Sequence, residues 1–282
     1  MNNCVINKSI DHDERYRKQK VKDKNLYLFD IDATLLLGDK VIDGCKEIIE
    51  EINKQGKKYI FVTNNSTKTA HEYVKKFRSV GIETKEENFI TALTATINYL
   101  KKNFKRKKVF LLGTKSLKEE LEKNDIIVTD KYEEDICCAL ASFDTELTYK
   151  KLEDICRVLR DDSVTYLATN PDMVCPVENG YIPDCGSICS MIENAVKRKP
   201  IFIGKPNTLM IEMSLKETNT NKDDAIIIGD RLNTDILCGL KSGVDTAAVF
   251  TGETNKEEIK ASKYKPTHIF NSVKDIYKLI KV

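Results

Sequence analysis

Short apolar runs alternate with helix-spaced stretches along most of this chain. Leu26 to Phe29 is a four-residue run with the aromatic content of a buried strand, and Lys58-Tyr-Ile-Phe-Val62 is a second. Between them, Cys45 to Asn53 sets Cys45, Ile48, Ile49 and Ile52 on one helical face and stops near Gln55-Gly56. A helix from about Lys68 to Val80 ends at Gly81. Strand, helix, strand, helix in this order predicts a parallel βαβ unit with helices packed on a sheet.

From Glu83 the alternation continues with different content. Helices are expected at Ala92 to Leu100, Leu117 to Lys123 and Tyr149 to Leu159. Strands are expected at Val109 to Gly113, Ile126 to Val128, Ile136 to Ser142 and Val164 to Ala168. A turn at Asn179-Gly180 and a helix near Ser187 to Val196 close this second, smaller α/β stretch. The chain is then expected to return to the first sheet with a strand at Pro200 to Ile203. A helix at Thr208 to Glu217 follows, then a strand at Ala225 to Ile228 and a helix at Thr234 to Lys241. Strands at Thr246 to Phe250 and His268 to Phe270 and a C-terminal helix complete it. The predicted organisation is a polar arm over 1–24, a doubly wound parallel-sheet core over 25–82 and 191–282, and an inserted domain over 83–190.

Four strands of this scheme break into polar clusters at their carboxyl ends, where open α/β sheets place ligands. Leu26–Phe29 runs into Asp30-Ile-Asp32, and Lys58–Val62 into Thr63-Asn64-Asn65. Pro200–Ile203 runs into Gly204-Lys205-Pro206, and Ala225–Ile228 into Gly229-Asp230, with Asp235 shortly after. Two acids do not belong inside a buried strand, because an unpaired buried charge is very costly. At a strand's end they can hold one hard cation such as Mg2+. Each cluster alone could be a solvated turn or a helix cap. Together they supply carboxylates, an ammonium, and hydroxyl and amide donors, the inventory that phosphoryl transfer needs.

Composition narrows the classes. The 282 residues are 41% hydrophobic, enough for a real core in one or two domains. With 46 basic and 44 acidic residues the net charge is +2, which argues against bulk electrostatic binding of nucleic acid. No apolar run approaches the roughly 20 residues of a membrane span, and the opening residues do not read as a signal peptide. Nine cysteines lack paired zinc spacings and read as reduced thiols packed as small hydrophobes. The expected location is the cytoplasm, with neither nucleic acid nor membrane as a partner.

The four clusters resemble, in order, the motifs of the haloacid dehalogenase (HAD) superfamily. Asp30-Ile-Asp32-Ala-Thr34 is similar to the first motif and Val62-Thr63-Asn64-Asn65-Ser66 to the second. Gly204-Lys205-Pro206 is similar to the third, and Gly229-Asp230-Arg231-Leu232-Asn233-Thr234-Asp235 to the fourth. Leu37-Gly38-Asp39, Ala168-Thr-Asn-Pro-Asp172 and Ile182-Pro-Asp-Cys-Gly-Ser187 point to the type IIA branch related to NagD and 4-nitrophenylphosphatase. The resemblance implies a Rossmann-like α/β core with a C2-type cap domain that closes as a lid and selects substrate. It implies an Mg2+-dependent phosphatase acting on small phosphomonoesters such as 4-nitrophenyl phosphate, sugar phosphates or nucleotides. By position, Asp30 would be the nucleophile that forms an aspartyl-phosphate and Asp32 the acid and base. Thr63, Asn64, Asn65 and Lys205 would bind the phosphorylated metabolite. Asp30, the Asp32 backbone carbonyl, Asp230 and Asp235 would hold Mg2+. A homodimer is compatible with this reading. So are a phosphotransferase or mutase on the same core and a slow phosphometabolite-binding regulator. The last arises because Ala33 stands where the family motif usually has Gly, and Gly suits positive φ or a close backbone approach.

Overall fold

The first apolar run forms β1 (Leu26–Phe29), with all four side chains buried, in a computed structural model that describes residues 19–177 and 180–282. After a small hairpin, β2 (Leu36–Leu37) with β3 (Lys40–Val41), helix α1 (Cys45–Lys54) leads to β4 (Lys58–Thr63). The α1 spacing works as expected: Cys45, Ile48, Ile49 and Ile52 are buried. Helix α2 (Ala70–Ser79) and β5 (Phe89–Thr91) follow. The chain divides into two units. One comprises residues up to Val62, Val74–Phe89 and Ile211–Val282; the other comprises Thr63–Tyr73 and Ile90–Met210.

The second unit contains α3 (Ala92–Asn103), β6 (Lys108–Leu112), α4 (Lys115–Lys123), β7 (Ile127–Thr129), β8 (Ile136–Ala141) and α5 (Tyr149–Val158). These are followed by β9 (Thr165–Ala168), a hairpin of β10 (Val174–Val177) with β11 (Gly180–Pro183), α6 (Cys185–Val196) and β12 (Ile201–Phe202). Five of the strands form a parallel sheet in the order β12-β9-β8-β6-β7. Its core packs Phe110, Leu112, Ala139 and Ala141 of the sheet against Ile155 and Val158 of α5 and Ile188 and Ile192 of α6.

The expectation that Pro200–Ile203 rejoins the first sheet is corrected here. Ile201 pairs with Leu167 and Phe202 with Ala168, so β12 lies in the second sheet. An apolar run bounded by Pro and Gly announces a strand but carries no information about its partner. The β10–β11 hairpin was not anticipated beyond its turn, and Asn179 of the expected Asn179-Gly180 turn lies outside the described residues. Most of the predicted 1–24 arm lies outside them too. Residues 19–22 are helical, and the Val21 carbonyl accepts from the Tyr27 hydroxyl at 2.9 Å.

The return to the first unit begins within α7 (Leu209–Thr218). It continues through β13 (Ala225–Gly229), α8 (Leu237–Ser242), β14 (Asp245–Val249), α9 (Lys256–Ala261), β15 (His268–Phe270) and α10 (Val273–Ile280). The sheet order is β15-β14-β13-β1-β4-β5. β1 is flanked in parallel by β13 and β4, with Phe29 opposite both Ile228 and Phe61. Phe61, Phe77 and Phe89 close on one another with ring centroids 4.7, 4.8 and 5.4 Å apart. Such pairs contribute about 0.5–1.5 kcal/mol each beyond their buried area. No helix among the described residues is long and apolar enough to cross a membrane.

Gly44, at the start of α1, has φ of 90°, and a Cβ there would collide with the Lys274 backbone at the start of α10. Gly44→Ala is therefore expected to cost about 2 kcal/mol or more, from backbone strain plus overpacking. Thermal unfolding should show a Tm about 5 °C or more below wild type; an unchanged Tm would contradict this packing.

Candidate active site

β1 and β13 are parallel neighbours in register, so Asp30 and Asp230, one residue past each, are delivered to the same end of the sheet. Asp235 comes from a wide π-helical turn, Leu232–Ile236, directly after β13. Carboxylate oxygens of Asp30, Asp230 and Asp235 lie within 4.8 Å of one another, and all three residues are buried. Burial first, and the neighbouring Asp235 carboxylate second, push the Asp230 carboxyl up to about 6. Its Oδ2 accepts from the Glu253 amide at 2.9 Å, while its Oδ1 is buried with no hydrogen-bond partner. An orphaned buried acceptor costs about 1–3 kcal/mol. Three clustered carboxylates with one oxygen unspent form an oxygen-only donor set that fits a hard cation such as Mg2+.

Two glycines make the crowding feasible. A Cβ on Gly229 would collide with the Asp235 side chain, and one on Gly252 would collide with Asp230 Oδ2. The segment after β14 wraps the acids: the Thr254 amide donates to the Asp230 carbonyl at 3.0 Å, and the Thr251 hydroxyl to the Ala33 carbonyl at 2.6 Å. The Arg231 amide donates to Asp235 Oδ2 at 3.1 Å, and the Arg231 guanidinium pairs with Glu253 at 2.9 Å. The four-cluster reading of the sequence missed this segment, although Thr251-Gly252 also follows an apolar strand.

Asp32 is exposed, and its carboxylate lies outside the buried group. Ala33 has φ of 62°, the left-handed conformation for which Gly is favoured. Its amide donates to the Leu36 carbonyl at 2.6 Å, which ties the turn to the β2–β3 hairpin.

The remaining predicted residues, Thr63, Asn64, Asn65 and Lys205, are brought together in the second unit. Thr63, Asn64 and Lys205 are buried. Asn64 spends its side chain on the backbone of Lys205: Oδ1 accepts from the Lys205 amide at 2.7 Å, and Nδ2 donates to the Lys205 carbonyl at 2.9 Å. Gly204 permits that approach, since a Cβ there would stand 2.6 Å from Asn64 Oδ1. Asn65 Oδ1 accepts from the amides of Thr67 and Lys68 at 3.0 and 2.9 Å, and the Asn65 amide donates to the Thr63 hydroxyl at 3.2 Å. Asn170, absent from the predicted site, donates from Nδ2 to the Asn64 carbonyl at 3.0 Å. Its position after strand β9 was the available signal.

Residues 27–127 match the family model described as haloacid dehalogenase-like hydrolase, and residues 202–276 match a second, HAD-hydrolase-like model. An acid sugar phosphatase of Staphylococcus haemolyticus is 34% identical over 247 residues, covering 88% of this chain and 93% of the relative. The crystal structure of a 4-nitrophenylphosphatase from Thermotoga maritima superposes with a TM-score of 0.86 at 33% identity, over 93% of this chain and 99% of that one. NagD from Escherichia coli K-12 gives a TM-score of 0.81 at 26% identity, over 89% and 98%.

The Asp230 environment yields a stability prediction. Folded Asp230 binds its proton more tightly than the unfolded chain does, so its ionisation removes stability as pH rises through about 6. In EDTA at pH 7, Asp230→Asn should therefore be more stable than wild type by on the order of 1 kcal/mol. That gap should narrow as pH falls from 7 to 5, where the wild-type carboxyl takes up its proton. Paired thermal melts at the two pH values check this; a variant less stable at pH 7 contradicts the repulsion.

Proposed function

Because the chain belongs to the haloacid dehalogenase-like hydrolases, in their NagD-like type IIA branch, and is a phosphatase, we propose that it hydrolyses small phosphomonoesters with Mg2+ through an aspartyl-phosphate. The carrying observation is the buried Asp30, Asp230 and Asp235 group with its unpaired Asp230 oxygen. Asp30, Asp230, Asp235 and the Asp32 backbone carbonyl would hold Mg2+. Bound there, the ion would neutralise both the carboxylates and the phosphate.

In this reading an Asp30 oxygen bonds to phosphorus as the bond from phosphorus to the leaving alcohol breaks. Asp32, exposed and two residues along, protonates that alcohol and then takes a proton from the water that cleaves the acyl phosphate. Thr63 and Lys205 hold the phosphoryl oxygens, with Asn65 beside them and Asn64 fixing the Lys205 backbone. Sugar phosphates are the substrate class favoured, since the Staphylococcus relative is an acid sugar phosphatase. The inserted stretch 83–190 would act as the cap that selects among substrates.

Ala33 does not argue for a protein that only binds. Left-handed Ala carries roughly 1 kcal/mol of strain relative to Gly, and Gly gives back about 0.4–1 kcal/mol through the entropy of the unfolded chain. A strain of that size is below the about 1.4 kcal/mol of barrier that a tenfold rate change needs, so Ala33→Gly should leave kcat/KM within about tenfold of wild type. An inactive wild type rescued by that substitution would support a binding protein.

The direct test is release of inorganic phosphate from 4-nitrophenyl phosphate and a sugar phosphate panel. Asp30→Asn is expected to lower kcat by about a thousandfold or more, because an amide is not a competent nucleophile. Exhaustive EDTA treatment should abolish turnover and added Mg2+ restore it. Full activity in EDTA, or a tenth of wild-type kcat retained by Asp30→Asn, defeats the proposal.

A further inference from the structure

Lys205 is buried and follows Gly204 at the end of β12, the two-residue edge strand of the second sheet. Two ladder residues are little to fix a lysine backbone. The pairing runs on through backbone bonds, the Ile203 amide to the Ala168 carbonyl at 2.9 Å and the Gly204 amide to the Thr169 carbonyl at 2.8 Å, and at Lys205 itself a side chain takes over. Asn64 clasps the Lys205 backbone from both sides, donating to its carbonyl and accepting from its amide. Asn64 therefore sets where Lys205 starts, and what holds Asn64 sets the geometry of both.

What holds Asn64 comes from the carboxyl ends of β8 and β9. Asn170 is buried and two residues past β9, and its Nδ2 donates to the Asn64 carbonyl at 3.0 Å. Its Oδ1 accepts from the Asp172 amide at 3.1 Å, which locks the Asn170 side chain in an Asx turn. A hydroxyl chain runs alongside. Ser66 Oγ lies 3.1 Å from Ser142 Oγ, which lies 3.2 Å from Thr169 Oγ1, with all three residues buried. The Gly204 amide donates to the Thr169 carbonyl at 2.8 Å. Thr169 and Asn170 thus fasten both partners of the Asn64 clasp, one at Gly204 and one at the Asn64 carbonyl.

We propose that Asn170 is a positioning residue for Lys205, acting through the Asn64 carbonyl and the Asn64 clasp on the Lys205 backbone. The proposal rests on the reading of Lys205 as a phosphoryl-binding cation. Asn170 touches no reacting atom in this account. Removing its amide frees the Asn64 carbonyl, loosens the clasp, and lets the ammonium leave the place where it meets the phosphoryl group. A misplacement of about 1 Å at such a group is worth up to a hundredfold in rate.

The test is a mutant cycle on the full chain with Mg2+, 4-nitrophenyl phosphate as substrate and inorganic phosphate as competitive product inhibitor. Asn170→Ala is expected to lower kcat/KM between about ten- and a hundredfold and to weaken phosphate inhibition. Asn170→Ser keeps an acceptor for the Asp172 amide but is too short to reach the Asn64 carbonyl. It should match Asn170→Ala in phosphate inhibition, and it serves in its place if the alanine variant does not fold. Asn64→Ala with Asn170→Ala should cost no more than Asn64→Ala alone, because both act on one path. A kcat/KM within twofold of wild type, additive losses in the cycle, or a fall in Tm with unchanged phosphate inhibition each overturns the proposal. Lys205→Ala is run beside them. If it keeps wild-type kcat/KM, the phosphoryl-binding reading fails; if it is inactive while Asn170→Ala is near normal, that reading stands and only the positioning role fails.

Discussion

Three buried carboxylates within 4.8 Å of one another set the terms for the first unit. At an effective dielectric near 20, two unit charges at that separation repel by roughly 3 kcal/mol. The strands that deliver them are among the most buried stretches of the chain: every residue of β1, and every residue of β13, is buried. Each fully buried Leu, Ile or Phe side chain contributes about 1.5–3 kcal/mol. A handful of such side chains offsets the repulsion. The acids gather at the end of these central, fully buried strands.

The second unit solves a different problem with neutral groups. The backbone of the buried Lys205 is fixed by the side-chain amide of Asn64. Asn64 uses one donor and one acceptor on the same residue, which fixes orientation as well as distance. Buried polar networks are costly when partly satisfied and rigid when complete. The chain through Ser66, Ser142 and Thr169 joins three segments remote in sequence with hydroxyls that can turn to suit one another.

Much of this was legible in the sequence because the relevant signals are local. An apolar run breaking into polar residues marks the carboxyl end of a strand, and Asp30 and Asp230 follow such runs directly. The spacing of Ile48, Ile49 and Ile52 predicted the buried face of α1. What failed needed knowledge of partners. β12 is only Ile201–Phe202, and no periodicity in two residues tells which sheet receives it. The donation from Asn170 to Asn64 spans 106 positions and leaves no spacing to read. The Thr251–Thr254 segment looked like an ordinary strand end, because its hold on Asp230 comes from backbone amides at Glu253 and Thr254, which any residue but proline supplies.

Ala33 lies in the same crowded turn, against Gly252. Its left-handed φ persists because both its backbone groups are held: the amide by the Leu36 carbonyl and the carbonyl by the Thr251 hydroxyl. Strain of this kind survives only where the surroundings over-determine it. The methyl group then needs room, and Gly252 supplies it, since a Cβ at that position would stand 2.7 Å from the Ala33 Cβ. The same absent side chain leaves space for Asp230 Oδ2. One glycine thus serves both the departure from the family motif and the acid beside it.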